Sequence, residues 1–240
     1  MNFETELNRL NEHYFFREFT FSKNTFRPSP EQEVELAYSL IWLDKLLIVF
    51  QLKERTSSGN FSAKSEARWF DRKVLTVGPR QIRDTLNFLD CHAHIELDNH
   101  RGHRFRLNKG SVDTVHKVIC YLAAEKLPPE CQVKKYHRSR TAGVTHLFAA
   151  NDYLGLVRTL LTPTELSEYL DFREELIDSW EDRVESVPEQ ALVGQYLNGD
   201  ADSPPDSGFV EYLVTLDHRA DEWDILLLYD FFIEEARVSV

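Results

Sequence analysis

Ser39-Leu40-Ile41-Trp42-Leu43-Asp44-Lys45-Leu46-Leu47-Ile48-Val49-Phe50-Gln51-Leu52-Lys53-Glu54-Arg55 is the stretch that decides the fold. Two apolar runs flank the polar pair Asp44-Lys45, and β-branched and aromatic residues are prominent in them, so the sequence predicts an antiparallel hairpin with a tight turn. The second strand is apolar on both faces, the pattern of a central strand rather than an edge. With a two-residue turn, Leu43 faces Leu46 and every cross-strand pair sums to 89, which sets Tyr38 opposite Gln51. Side chains alternate along a strand, so Gln51 and Lys53 share a face and Tyr38 joins them across the ladder.

Working outward, residues 4–14 read as a short helix and 15–21 as an aromatic strand. Ser29-Pro30-Glu31 has the form of an N-cap followed by proline at the first helical position, so a second short helix is expected there, with Glu35 at its end. Downstream of the hairpin, 66–75 and 79–89 carry helical periodicity. Residues 92–97 and 103–107 flank a turn at 98–102, and 115–121 and 144–149 are compact apolar runs suited to strands. Beyond Asn151 the pattern is helical over 153–161, 163–180 and 189–197, with Thr162-Pro163-Thr164-Glu165 as a start signal. A surface loop is expected at 199–208, then further elements at 209–216 and 222–236. Trp180, Trp223 and the run 225–228 read as helical core. The expected fold is α/β, a mixed sheet flanked by helices over residues 1–150, with an acidic, mainly helical region over 151–240 packed on it.

The 240 residues carry a formal charge of -12, which by itself argues against a nucleic-acid partner. The average hides a division. Residues 1–150 hold 23 Lys+Arg against 18 Asp+Glu, whereas the last ninety hold 5 against 22 and no lysine. A polyanion therefore remains a possible partner of the first part. The acidic part reads either as a solvated helical face or as a surface that meets a basic protein partner or the chain's own basic face. No apolar run approaches the roughly 20 residues of a membrane span. The N-terminus lacks the basic start and apolar stretch of a signal peptide, and Cys91, Cys120 and Cys131 are an odd, widely spaced set. These features predict a cytoplasmic protein with reduced thiols.

Glu35, Gln51 and Lys53 are the candidate catalytic residues. A carboxylate and an amide oxygen at one end of the hairpin would hold a divalent metal, while the lysine orients or deprotonates a water and offsets phosphate charge. Glu35, an apolar strand, a turn, and an apolar strand ending in Gln51-Leu52-Lys53 together resemble the core of the restriction-endonuclease-like PD-(D/E)xK nuclease superfamily, in its Q-x-K variant. The resemblance spans roughly residues 30–125 and includes the α-β-β-β-α-β order. It implies Lys53 as the catalytic lysine, Gln51 in place of the second acid, Glu35 as the helix carboxylate, Gln81 as a supporting helix residue, and Mg²⁺ or Mn²⁺ held by Glu35 and Gln51. Metal-dependent hydrolysis of DNA or RNA, in defence or mobile-element biology, is the activity it implies.

The family's first strand carries an aspartate, and here the ladder puts Tyr38 at that position. Asp44 does not replace it, because seven residues of strand at about 3.3 Å each separate it from Gln51 by roughly 20 Å. The alternative expectation is accordingly a catalytically inactive nuclease-fold interaction protein whose acidic half binds a basic partner or blocks its own basic face. The basic run Lys134-Lys135-Tyr136-His137-Arg138-Ser139-Arg140 supplies Lys134, Lys135, Arg138 and Arg140 as candidate phosphate contacts, its other reading being a solvated loop. Cys91-His92-Ala93-His94, with His100 and His103, has poor zinc spacing: on a strand His92 and His94 share a face while Cys91 points away.

Overall fold

Leu47, Ile48, Val49 and Phe50 are wholly buried, as a strand apolar on both faces requires. At about 1.5–3 kcal/mol for each large apolar side chain removed from water, this tetrapeptide alone supplies a substantial driving force. In the computed structural model, residues 3–198 are described, apart from 16, 23, 24, 30, 31, 36, 56–60, 109 and 141. The elements run α1 (Phe3–Tyr14), β1 (Thr20–Ser22), β2 (Thr25–Ser29), β3 (Gln32–Glu35), β4 (Ser39–Leu43), β5 (Leu46–Glu54), α2 (Ala63–Trp69), a π-helical segment (Phe70–Val77) and α3 (Gly78–Cys91). They continue with β6 (His94–Asp98), β7 (Arg104–Asn108), β8 (Thr114–Leu122), α4 (Pro129–Gln132), β9 (Tyr136–Ser139), β10 (Gly143–Ala149), α5 (Ala150–Thr159), α6 (Pro163–Trp180), a 3-10 turn (Glu181–Ser186) and α7 (Glu189–Asn198).

The fold is mixed α/β, with a six-stranded sheet in the order β1-β4-β5-β8-β10-β9. β4 and β5 pair antiparallel from Ser39↔Phe50 to Leu43↔Leu46, the register expected from the turn. Asp44 takes φ 50, the left-handed conformation that tight hairpin turns use. β8 lies parallel to β5 and β10 parallel to β8, while β1 and β9 close the two edges antiparallel. One face of the sheet, with Ile48, Phe50, Val118 and Cys120, packs against α1, α5, α6 and α7. The other, with Leu47, Val49, Ile119 and Tyr121, packs against α2, the π segment, α3 and the β6–β7 hairpin.

The helix start expected at Ser29-Pro30-Glu31 is corrected. Ser29 ends β2, and Gln32–Glu35 forms a strand paired with it through Phe26↔Val34 and Thr25↔Glu35. Cross-strand pairing has overridden a local N-cap signal, as tertiary context often does. The two helices expected over 66–89 are one continuous helical run from Ala63 to Cys91. Pro79 explains its π register: proline has no N–H to donate and its ring crowds the carbonyl four residues back, so the preceding turn widens. The strand expected over 15–21 is confined to Thr20–Ser22. The capping box at Thr162 and Glu165 forms as expected, with both reciprocal hydrogen bonds. The elements expected over 199–240, including Trp223 and the run 225–228, lie outside the described residues. No helix among the described residues is long and apolar enough to cross a membrane.

Candidate functional site

Lys53 lies on the face of β5 that meets α3, and both Lys53 and Gln51 are buried, 9% and 5% exposed. The Lys53 ammonium donates to Gln81 Oε1 at 2.6 Å and to Gln51 Oε1 at 3.2 Å. Three of the residues singled out in the sequence are thus brought together. Gly78 makes the approach of α3 possible: a Cβ there would stand 2.6 Å from Ile119 Cδ1 and 3.4 Å from Lys53 Cε. Two residues further along the same face, Arg55 Nε donates to Glu66 Oε1 at 3.0 Å, and its guanidinium stacks on Phe61 at 3.9 Å. Glu66 is fully buried, and its Oε2 accepts no hydrogen bond from a described residue. Arg55 and Glu66 were not singled out in the sequence, although the period-two spacing from Gln51 and Lys53 marks Arg55 as a third polar side chain on that face.

Tyr38 is not part of this group. The β4–β5 ladder stops at Ser39↔Phe50, so alternation no longer dictates where residue 38 points. Tyr38 packs in the core with α1 and α5, and Ala37 takes the side facing α2 and α3. The expectation that Tyr38 shares a face with Gln51 is therefore corrected. Glu35 ends a strand of a separate two-stranded sheet rather than a helix; the metal-ligating role expected of its side chain lies outside what the structure describes.

Gln51 and Gln81 supply neutral amide oxygens that already accept from an ammonium. Mg²⁺ and Mn²⁺ are hard cations that favour anionic oxygen ligands, so these two amides by themselves are weak ligands for them. Among the described residues no group of three or more His, Cys, Asp or Glu side chains gathers as a metal site. His92, one of the histidines weighed for zinc, is instead the C-cap of α3, with Nδ1 2.8 Å from Phe88 O and its ring stacked on Phe88.

The basic run lies beside and within the edge strand β9, and its cations meet acids of the helical region. Lys134 Nζ lies 3.0 Å from Glu185 Oε2, Lys135 Nζ 3.2 Å from Glu189 Oε2, and Arg138 pairs with Asp178. Arg140 is exposed at the end of the strand. Glu189 is the centre of the arrangement. It accepts from Arg173 Nε at 2.9 Å, Arg173 Nη2 at 3.2 Å and Tyr169 Oη at 2.6 Å. Arg173, wholly buried, also donates to the carbonyls of Lys135 and Leu147 and to His146 Nδ1 at 3.0 Å. A guanidinium only donates, so His146 accepts at Nδ1 and is neutral. Burial holds the His146 pKa well below its ordinary value, and the Arg173 charge adds to this. Burial would raise the Glu189 carboxyl, but the charges of Arg173 and Lys135 and the bonds from Tyr169 and Arg173 prevail and hold it at about 2.

No family model matches the chain, and no curated protein or solved structure matches it either.

Proposed function

We propose that the chain is a nuclease-like scaffold that does not cleave, and that its acidic helices cover its own basic edge. The nuclease-like reading is supported by the β4–β5 hairpin, the helical run Ala63–Cys91 that follows it and bears Gln81, and β8, which returns parallel to β5. It is supported also by Gln51 and Lys53 on one face at the end of the central strand. Loss of cleavage is supported by the two neutral amides, Gln51 and Gln81, that accept from Lys53 and by the burial of Tyr38 on the opposite face.

The observation that carries the proposal is the pairing of Lys134, Lys135 and Arg138 with Glu185, Glu189 and Asp178. Phosphate binding relies on Lys and Arg whose charge is available. Here Glu185, Glu189 and Asp178 neutralise Lys134, Lys135 and Arg138, so DNA or RNA gains little by approaching β9. The partly exposed pair Lys134–Glu185 and the exposed pair Arg138–Asp178 are each worth about 0–1 kcal/mol, which leaves them open to competition. A partner able to draw these helices' acids away would uncover the edge.

Anisotropy with a labelled 20-base-pair duplex tests this. The native chain should bind weakly at about 0.1 M salt, while the Asp178→Asn, Glu185→Gln pair of substitutions should tighten binding and steepen its salt dependence. Equal binding by both proteins overturns the covered-edge reading.

A further inference from the structure

A second basic feature, unrelated to β9, stands beside β1, the opposite edge of the sheet. A cleft of about 650 Å³ opens between the C-terminal half of α1, the segment leading into β1, the β6–β7 turn and the last turn of α5. Four arginines, Arg9, Arg17, Arg101 and Arg158, line it against Glu12 and Glu18, a net of +2 in a chain of -12. Helix C-termini attract cations, which accounts for His13 and Arg158 in the last turns of α1 and α5. It does not account for Arg101, which comes from a hairpin turn, or for Arg17 beyond the end of α1.

The lining is built rather than incidental. Glu12 pairs with Arg17 at 3.4 Å and with His100, and Glu18 pairs with Arg101 at 2.9 Å; unlike the three-against-three pairing at β9, two acids face four arginines here, and the paired arginines are themselves exposed. Asn99, itself buried, donates to Glu18 O at 3.3 Å and accepts from the backbone N–H groups of Arg101 and His103 at 3.0 Å. The turn carrying Arg101 is thereby fixed to the opposite wall, which lowers the entropy lost when a ligand binds. Tyr14 and His13 stand edge to face, centroids 5.0 Å apart, and add aromatic surface to the same wall.

Arginine presents a planar fork that matches phosphate oxygens, and aromatic rings offer a stacking surface for a base. The volume falls in the range of small-ligand pockets, about 300–1,000 Å³. From this combination we infer that the cleft binds a nucleoside phosphate, its phosphates among the arginines and its base against Tyr14 and His13. The inference does not depend on the covered β9 edge.

Calorimetric titration of the full chain with ADP, adenosine and pyrophosphate tests it, with anisotropy of a labelled 20-nucleotide single strand alongside. ADP should bind, and adenosine should bind at least roughly tenfold more weakly. Arg101→Gln combined with Arg158→Gln should weaken ADP by a similar factor with unchanged circular dichroism and Tm. ADP and adenosine binding equally, ADP binding untouched by the arginine substitutions, or the absence of binding by ADP overturns the inference. So does a single strand that binds far more tightly than ADP with a salt slope of several phosphates, since that describes a polynucleotide track.

Discussion

Lys135 and Glu189 lie 54 residues apart in sequence and meet at 3.2 Å, both almost out of solvent. Through this pair and Arg173, the edge strand β9 is tied to the start of α7, where the helix dipole also favours a carboxylate. Removing one partner of such a group leaves the others as buried, uncompensated charge. Glu189→Gln should therefore destabilise the chain by about 3–5 kcal/mol. Glu185→Gln, which loosens only a partly exposed pair, should lose less than about 1 kcal/mol. Urea midpoints of the two variants check this, and equal midpoints contradict it.

Acid should loosen the same region. Burial, with Lys117 adding to it, lowers His116 to about 4 from its ordinary 6.5. Its Nε2 lies 2.8 Å from Ser167 Oγ on α6. A histidine held neutral in the fold but free to protonate when unfolded contributes stability that is complete above about 6.5 and is lost as pH falls toward 4, here up to about 3 kcal/mol. Glu189 acts lower, between its ordinary 4.5 and about 2, because its depressed carboxyl stabilises the fold only while ionised. His116→Gln should make the stability profile shallower between pH 7 and 4.5, the remaining slope there coming from buried His146, and leave the steeper loss below it. Urea unfolding across that range decides, and a variant profile parallel to the native one excludes the His116 contribution.

Tyr38→Asp should not create a metal site, because residue 38 packs on the face away from Gln51 and Lys53. Placing a carboxylate in that core should instead destabilise the chain by several kcal/mol. Thermal melts with and without 5 mM Mg²⁺ separate the outcomes. The expected Tm is lowered and indifferent to metal, whereas recovery by Mg²⁺ shows that residue 38 does reach the site.

Gly78 and Gly194 should respond in opposite directions to alanine. Gly194 lies within α7 with no atom inside 4 Å of a new Cβ, so Gly194→Ala should stabilise by about 0.5–1 kcal/mol through helix propensity. Gly78→Ala gains the same propensity but drives a methyl into buried Ile119, and overpacking of this kind typically costs about 1–3 kcal/mol. Its net effect should be a loss, together with a weakened Lys53–Gln81 contact. A rise in Tm for Gly78→Ala shows that Ile119 has room to move.

The hairpin was legible because everything that fixes it is local: a two-residue turn, alternation, and an apolar run buried on both faces. Gln81 was reachable for a related reason, since one helix follows the hairpin and crosses its end. What the sequence hid was set at long range. Nothing near Lys134, Lys135 and Arg138 announces that Glu185, Glu189 and Asp178 neutralise them from 40 to 54 residues away. Tyr38 was misplaced because register arithmetic was carried one residue past the end of the ladder. The strand at Gln32–Glu35 was missed because a strong N-cap pattern lost to pairing with β2.

Cleavage itself provides the most direct measurement. Supercoiled plasmid and a labelled single-stranded RNA are incubated with the chain in Mg²⁺ and in Mn²⁺, beside the Lys53→Ala variant, with metal titration calorimetry of the same samples. The expected result is no cleavage above the Lys53→Ala level and no heat of metal binding. Metal-dependent cleavage that disappears in Lys53→Ala contradicts the non-cleaving scaffold and makes Lys53 a catalytic residue.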